Sequence, residues 1–287
     1  MIKFYLGTHQ PSWLATAGVP LFVSHRRLAG RKTLPRAIEG WALDSGGFSE
    51  LLLYSEWRTT PEEYIAAVRR YDEEIGMLEW AAPQDWMCEP PMLRKTSRRE
   101  ATQDAMLSGG GITPEDELDA TFNELQLATP EDQILLHQER TVANFVHLQE
   151  LWAAESGDES PIMPVLQGWE VEDYLRCVRM YRDAGVDVTD YPVVGLGSVC
   201  RRQDSDEIGE IVETLLHAVP GLELHGFGVK MRGLEKYGLM LLTTDSLAWS
   251  FDARHSEPLP GCVGHKNCAN CLPFALQWRE RILAAAS

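Results

Sequence analysis

The feature that most constrains this chain is a rhythm. Short apolar runs alternate with helix-patterned stretches from end to end, the mark of a mainly parallel α/β fold. The runs fall at Lys3–Leu6, Pro20–Val23, Trp41–Leu43, Leu78–Ala82, Ile162–Leu166, Pro192–Leu196, Leu222–Phe227 and Leu239–Leu242. Between them, Pro61–Ile75 opens with Thr60 and Glu63 at capping-box spacing, and Pro130–Glu155 follows Thr129 as its cap. Glu170–Ala184, Asp206–Val219 and a short stretch after Lys230 also read as helices. Eight strands with intervening helices predict a (β/α)8 TIM-type barrel, with links between the first three strands too irregular for ideal helices. A length of 287 residues suits one such domain or two small ones. No repeat or linker divides the chain, so residues 1–287 read as one barrel domain. A polar, glycine-containing stretch at about 88–128 breaks the rhythm and reads as an insertion on one barrel face, of the kind that forms lids or binding loops.

In barrels of this kind the chemistry sits at the carboxyl ends of the strands. The residues after the runs are Gly7-Thr8-His9, Ser24-His25-Arg26-Arg27, Asp44-Ser45-Gly46-Gly47-Phe48, Gln84-Asp85-Trp86, Gln167-Gly168, Gly197-Ser198, Gly228-Val229-Lys230 and Thr244-Asp245-Ser246. Three aspartates therefore converge on one rim. Each alone reads equally well as a helix cap or turn former, and Asp44-Ser45-Gly46-Gly47 alone favours a turn. Together they suit cleavage of a glycosidic bond: one carboxylate attacks the anomeric carbon and another moves protons on the leaving group. A third that accepts ring N–H donors selects a nucleobase, and Trp86 and Phe48 supply aromatic faces for a base turned out of its stack. His9 and His25 read as structural groups.

Cys262, His265, Cys268 and Cys271, each separated by two residues, read as a tetrahedral metal site, with His255 the alternative to His265. This segment, about 255–272, precedes a closing helix at Leu272–Ala284, so the expected ion is a structural Zn2+ that pins that helix. With no apolar run of about eighteen residues and no charged-then-apolar leader, the expectation is a soluble, cytoplasmic protein without membrane contact. A formal charge of -17 argues against a broadly attractive nucleic-acid surface. Basic residues nonetheless recur near the rim, including Arg26, Arg27, Arg201, Arg202 and Lys230; solvated helix ends are an equally good reading of each pair.

The motif Asp44-Ser45-Gly46-Gly47-Phe48 resembles that of the tRNA-guanine transglycosylases, zinc-containing barrel enzymes that exchange guanine for a 7-deazaguanine. Asp85, Gln167-Gly168, Gly195-Leu196-Gly197 and Asp245 fall in order where that family has its base-binding aspartate, glutamine-glycine pair, substrate-amide loop and nucleophile. Gly7-Thr8-His9-Gln10-Pro11-Ser12-Trp13-Leu14, His225-Gly226-Phe227-Gly228-Val229-Lys230 and Asn267-Cys268-Ala269-Asn270-Cys271-Leu272 are similar to a paralogous branch, the DpdA-like DNA deazapurine modification enzymes of bacteria and bacteriophages. The resemblance implies a pentosyltransferase that replaces guanine in DNA by 7-cyano-7-deazaguanine (preQ0) or a relative. It implies Asp245 as nucleophile on deoxyribose C1′ and Asp44 as general acid/base. Base recognition would then fall to Ser45, Phe48, Asp85, Trp86, Gln167, Gly168, Gly195, Leu196, Gly197, Phe227 and Gly228, and DNA contact to Arg201, Arg202 and Lys230. A homodimer or helper proteins that open DNA are conceivable partners. A tRNA-directed transglycosylase, or a non-catalytic nucleic-acid-binding subunit, are the alternatives.

Overall fold

The computed structural model describes residues 2–94, 129–155, 157–200, 202 and 206–285. Most of the 88–128 insertion, from 95 onward, and Arg201 lie outside the described residues. Eight strands form one sheet: β1 (Lys3–Thr8), β2 (Leu21–Ser24), β3 (Trp41–Asp44), β4 (Leu78–Ala81), β5 (Val165–Leu166), β6 (Val194–Leu196), β7 (Leu224–Gly226) and β8 (Thr243–Ser246). Their order is β4-β3-β2-β1-β8-β7-β6-β5, and every ladder is parallel. The two edge strands approach through a single bridge, Ala81 with Ile162, where Ala81 N–H donates to the Pro161 carbonyl (2.8 Å) and Met163 N–H to the Ala81 carbonyl (3.0 Å). The architecture is thus a curled eight-stranded parallel sheet with helices around it, its β4–β5 seam carrying one bridge in place of a ladder.

The described helices are α1 (His25–Leu28), α2 (Gly47–Tyr54), α3 (Pro61–Ile75), α4 (Pro130–Glu155), α5 (Val171–Asp183), α6 (Asp206–Ala218), α7 (Met231–Tyr237), α8 (Ala248–Arg254) and α9 (Leu272–Ala285). The expected capping box opens α3: Thr60 Oγ1 accepts from the Glu63 N–H while the Glu63 carboxylate accepts from the Thr60 N–H. Thr129 and Asp132 make the same reciprocal pair ahead of α4. The first three strands are joined by a 3-10 turn at Pro11–Ala15, the four-residue α1 and irregular chain, as their sequence predicts.

Two strand expectations shift. The eighth strand begins at Thr243, four residues later than the apolar run Leu239–Leu242, because Leu239 and Leu242 are exposed (85% and 40%) while β-branched Thr243 and Thr244 are buried between β1 and β7. The fifth shrinks to Val165–Leu166, since Pro161 and Pro164 have no N–H to give a ladder.

Strand alternation sorts the side chains. Phe4, Leu6, Leu21, Val23, Trp41, Leu43, Val194, Leu196 and Leu224 join the large core between sheet and helices. Their neighbours Tyr5, Phe22, Ala42, Trp80, Val165 and Phe227 form a second cluster inside the curl. With a period of two, Asp44 falls in phase with Ala42, Gln167 with Val165, Gly195 with the inward positions of β6, and Thr243 and Asp245 with each other. The polar residues of interest are therefore the inward positions at the upper ends of strands whose lower inward positions are aromatic or aliphatic.

Candidate active site

A cavity of about 370 Å³ opens at the carboxyl ends of β1, β2, β3 and β8. Asp44 and Asp245 both line it, with Thr8, His9, Ser24 and Arg26 among its walls. Asp44 closes β3, where Gly46 takes a left-handed backbone (φ 85°) and returns its N–H to Asp44 Oδ1 at 3.0 Å. The motif thus forms the turn its sequence favours, with Asp44 at the cavity wall. A Cβ at Gly46 would meet Arg26 Cγ at 2.9 Å, so the glycine lets the Arg26 stem lie across the turn. Burial pushes the Asp44 carboxyl above the usual aspartate range; the Gly46 N–H and the Ser24 hydroxyl oppose the rise, the Asp245 charge adds to it, and Arg26 offsets part. Asp245 is buried on β8, and its Oδ1 accepts the Gly228 N–H at 2.8 Å. Gly228 holds φ 62°, a conformation that aims its amide at the carboxylate.

A second group stands beside this pair. Asp85, in the loop after β4, accepts a hydrogen bond from Gln167 Nε2, whose Oε1 accepts from Ser198 Oγ (2.7 Å); Ser198 Oγ in turn accepts from the Cys88 N–H (2.8 Å). Burial raises the Asp85 carboxyl to about 7, against the Gln167 hydrogen bond, with the Asp44 and Glu89 charges adding to the rise. A Cβ on Gly197 would lie 2.3 Å from Gln167 Nε2, so glycine there is what gives the amide its place.

Other expected site residues are used differently. Ser45 and Leu196 are buried, and Leu196 belongs to the core outside the curl. Gly168 packs against Asp173 and Tyr174 of α5, and Gly195 against Phe227, Val165 and Met163. Phe48 is 37% exposed on α2 and does not line the cavity. Trp86 gives its N–H to Thr141 Oγ1 and its ring to His137 and Arg140 of α4, so it faces a helix. Phe227 sits half-buried against His225, with ring centroids 4.8 Å apart. Arg202 is tied to the Trp169 carbonyl and Glu207 and stacks on the Trp169 ring, while Lys230 is the N-cap of α7. His25 bonds Tyr71 OH (3.0 Å) and packs on Tyr64, the structural role expected of it. His9 differs: it lines the cavity with Nδ1 3.5 Å from Arg27 Nη2. Sequence reasoning placed Arg26 and Arg27 near the rim but gave weight to Arg201 and Arg202 instead, and it quoted His225 in a motif without giving it a role; for His225 the available signal was strand parity.

Cys262, His265, Cys268 and Cys271 bring their ligand atoms within 4.8 Å of one another, between α8 and α9. The Cys262–Cys271 Sγ–Sγ distance of 3.7 Å matches the edge of a tetrahedron with about 2.3 Å from centre to sulfur, and His265 Nε2 lies 3.4 Å from Cys268 Sγ. Three sulfurs and one imidazole at these spacings could hold Zn2+. His255 instead bonds the Phe251 carbonyl at the end of α8.

Among the described residues no helix is long and apolar enough to cross a membrane. No curated protein sequence matches the chain. Residues 1–105 and 124–287 match the family model DpdA, DeoxyPurine in DNA protein A. With nearly its whole length covered by that match, the chain belongs to the DpdA family.

Proposed function

We propose that this protein is a DNA base-exchange transglycosylase that replaces guanine by preQ0 or a related 7-deazaguanine. The observation that carries the reading is the meeting of Asp44 and Asp245, from strands far apart in sequence, on one small cavity, with their charges coupled. Cavities of about 300–1,000 Å³ suit a single small ligand such as a base turned out of its stack. Asp245 attacks C1′ of the deoxyribose, the C1′–N9 bond breaks, and its electron pair leaves with guanine. Asp44, whose raised affinity for a proton suits it to give one up, protonates the departing base. The incoming base then returns its N9 proton to Asp44, N9 bonds C1′, and the aspartyl ester opens.

The Asp85–Gln167–Ser198 chain supplies recognition. As a carboxylate, Asp85 accepts two N–H donors of a guanine-type ring, while Gln167 is held by Ser198 with its amide beside the base. Arg26 and Arg27, at the cavity wall and in ion-pair contact with no carboxylate among the described residues, are placed for the flanking phosphates; Arg202 is already engaged. The cysteine–histidine cluster would hold Zn2+ in a structural role, fixing α9 to α8 away from the cavity. The β4–β5 seam is read as the closure of one barrel domain spanning the chain.

The test offers labelled preQ0, or labelled guanine, with duplex DNA and separately with tRNA. Label is expected in DNA and lost with Asp245→Asn or Asp44→Asn. Label in tRNA alone would assign the other polymer, and undiminished exchange by Asp245→Asn would remove the nucleophile.

A further inference from the structure

His225 is fully buried inside the curl, yet one of its ring nitrogens has no hydrogen-bond partner. It pairs with Thr243 across the β7–β8 ladder, and strand parity places Asp245 two residues further along the same inward face. The ring is caged by Trp80 (centroids 4.6 Å) and Phe227 (4.8 Å), with Phe22 and Tyr5 at about 6 Å. Nδ1 lies 2.8 Å from Thr243 Oγ1. Nε2 lies 3.4 Å from Asp245 Oδ1, close but poorly aligned, and that same oxygen accepts the Gly228 N–H. Burial keeps the ring neutral, holding its pKa below the ordinary value despite the neighbouring carboxylate. A neutral imidazole has one N–H. The carboxylate can only accept and the Thr243 hydroxyl can donate, so the tautomer that satisfies both sides carries its proton on Nε2.

We propose that His225, as the Nε2–H tautomer, is the positioning residue of the nucleophile: with the Gly228 amide it fixes Asp245 Oδ1 and leaves Oδ2 to bond C1′. The inference rests on the base-exchange reading above. As Oδ2 bonds C1′ and the base departs with the C1′–N9 pair, Oδ1 becomes the carbonyl oxygen of the ester. When the incoming N9 bonds C1′, the Oδ2–C1′ pair returns to Asp245, and negative charge grows again on the oxygen that His225 and Gly228 address. In the first step the two donors hold Oδ2 in line with C1′, and in the second they stabilise the carboxylate as it re-forms. The groups facing the ring are Asp245 and Thr243 from β8 and Tyr5 from β1, whose hydroxyl is bonded to Glu79 of β4; Trp80, Phe22 and Phe227 are uncharged.

Full-length His225→Phe keeps a ring in the cage and removes both nitrogens; His225→Gln restores an N–H; Thr243→Val removes the partner that fixes the tautomer. Incorporation of labelled guanine into duplex DNA gives kcat and KM, a denaturing gel gives the enzyme–DNA adduct, and thermal melting reports the fold. For His225→Phe the expected result is kcat lower by roughly 10- to 100-fold, KM for the base within about twofold, and adduct formation slowed in proportion. His225→Gln recovers part of the loss, and Thr243→Val shows a smaller loss of the same kind. A competent parent whose His225→Phe form exchanges base within about threefold overturns the positioning role. So does a folded His225→Gln no better than the phenylalanine variant, or a Thr243→Val with unchanged kcat should His225→Phe fail to fold. A parent that neither forms the adduct nor labels DNA overturns the base-exchange reading itself.

Discussion

Replacing Asp85 by asparagine removes a charge from a place that resists one. The Asp85 carboxyl rises from 3.8 to about 7, with burial as the main cause. At 1.36 kcal/mol per unit, a rise of about three units corresponds to roughly 4 kcal/mol. Asp85 keeps a partly exposed edge, so solvent screening reduces this to roughly 2–3 kcal/mol. The sign follows from proton binding. A carboxyl that holds its proton more tightly when folded contributes stability below about pH 4, and that contribution is lost as the pH rises through about 7. Parent and Asp85→Asn should therefore melt alike near pH 3.5, while at pH 8 the variant should be the more stable by about 2–3 kcal/mol, about 4–6 °C for a chain of this size. Its KM for guanine should rise at least about tenfold, because an amide presents one acceptor and one donor group where the base offers two donors. Paired melts at pH 3.5 and 8, with label incorporation at pH 8, measure both. A stability difference independent of pH would refute the burial argument, and unchanged KM would refute the assignment of Asp85 to the base.

Four further outcomes are open to measurement. Gly197→Ala drives a methyl into Gln167 and should raise KM for the base by about tenfold or more in the same incorporation assay, at a cost of about 1–3 kcal/mol in folding. Arg26→Gln and Arg27→Gln should each weaken DNA binding and lower the slope of log K against log salt by about 0.9 in fluorescence titrations, if each meets one phosphate. Chelation, or Cys268→Ser, should lower the melting temperature and make the chain beyond α8 sensitive to protease, while a chelator should have no further effect on the variant. Glu50→Ala should destabilise by about 2–3 kcal/mol in urea melts, because the buried Glu50 carboxylate accepts the Arg58 N–H, the Thr59 N–H and the Thr59 hydroxyl.

The strands and long helices were legible because their signals are local. Thr60 and Glu63, or Thr129 and Asp132, carry their own capping chemistry, and Phe4-Tyr5-Leu6 carries its own alternation. The start of β8 was not, since Leu239 and Leu242 look like strand residues until the tertiary structure leaves them in solvent. In the site, the aspartates could be placed at strand ends from spacing alone. What spacing lacks is direction: Trp86 follows Asp85 directly yet turns to Arg140, and Arg202 follows β6 yet is held by Trp169 and Glu207. His225 was hidden for a related reason. In a linear reading a histidine within an apolar strand is a core residue, and only the β7–β8 register brings it under Asp245.

An acidic chain that acts on DNA must separate its charges in space. Here several arginines away from the cavity are paired at close range: Arg69 with Glu155, Arg70 with Glu74, Arg176 with Asp173 and Arg202 with Glu207. Each such pair removes a cation from the outer surface and leaves the excess of acids to repel a polyanion there. Arg26 and Arg27 lie on the wall of the cavity that holds two aspartates. Their charge offsets the local acids: Arg26 already counteracts the rise of the Asp44 carboxyl. Two arginines on the cavity wall would attract a polyanion where a nucleotide has to enter, against the repulsion of a chain whose net charge is -17.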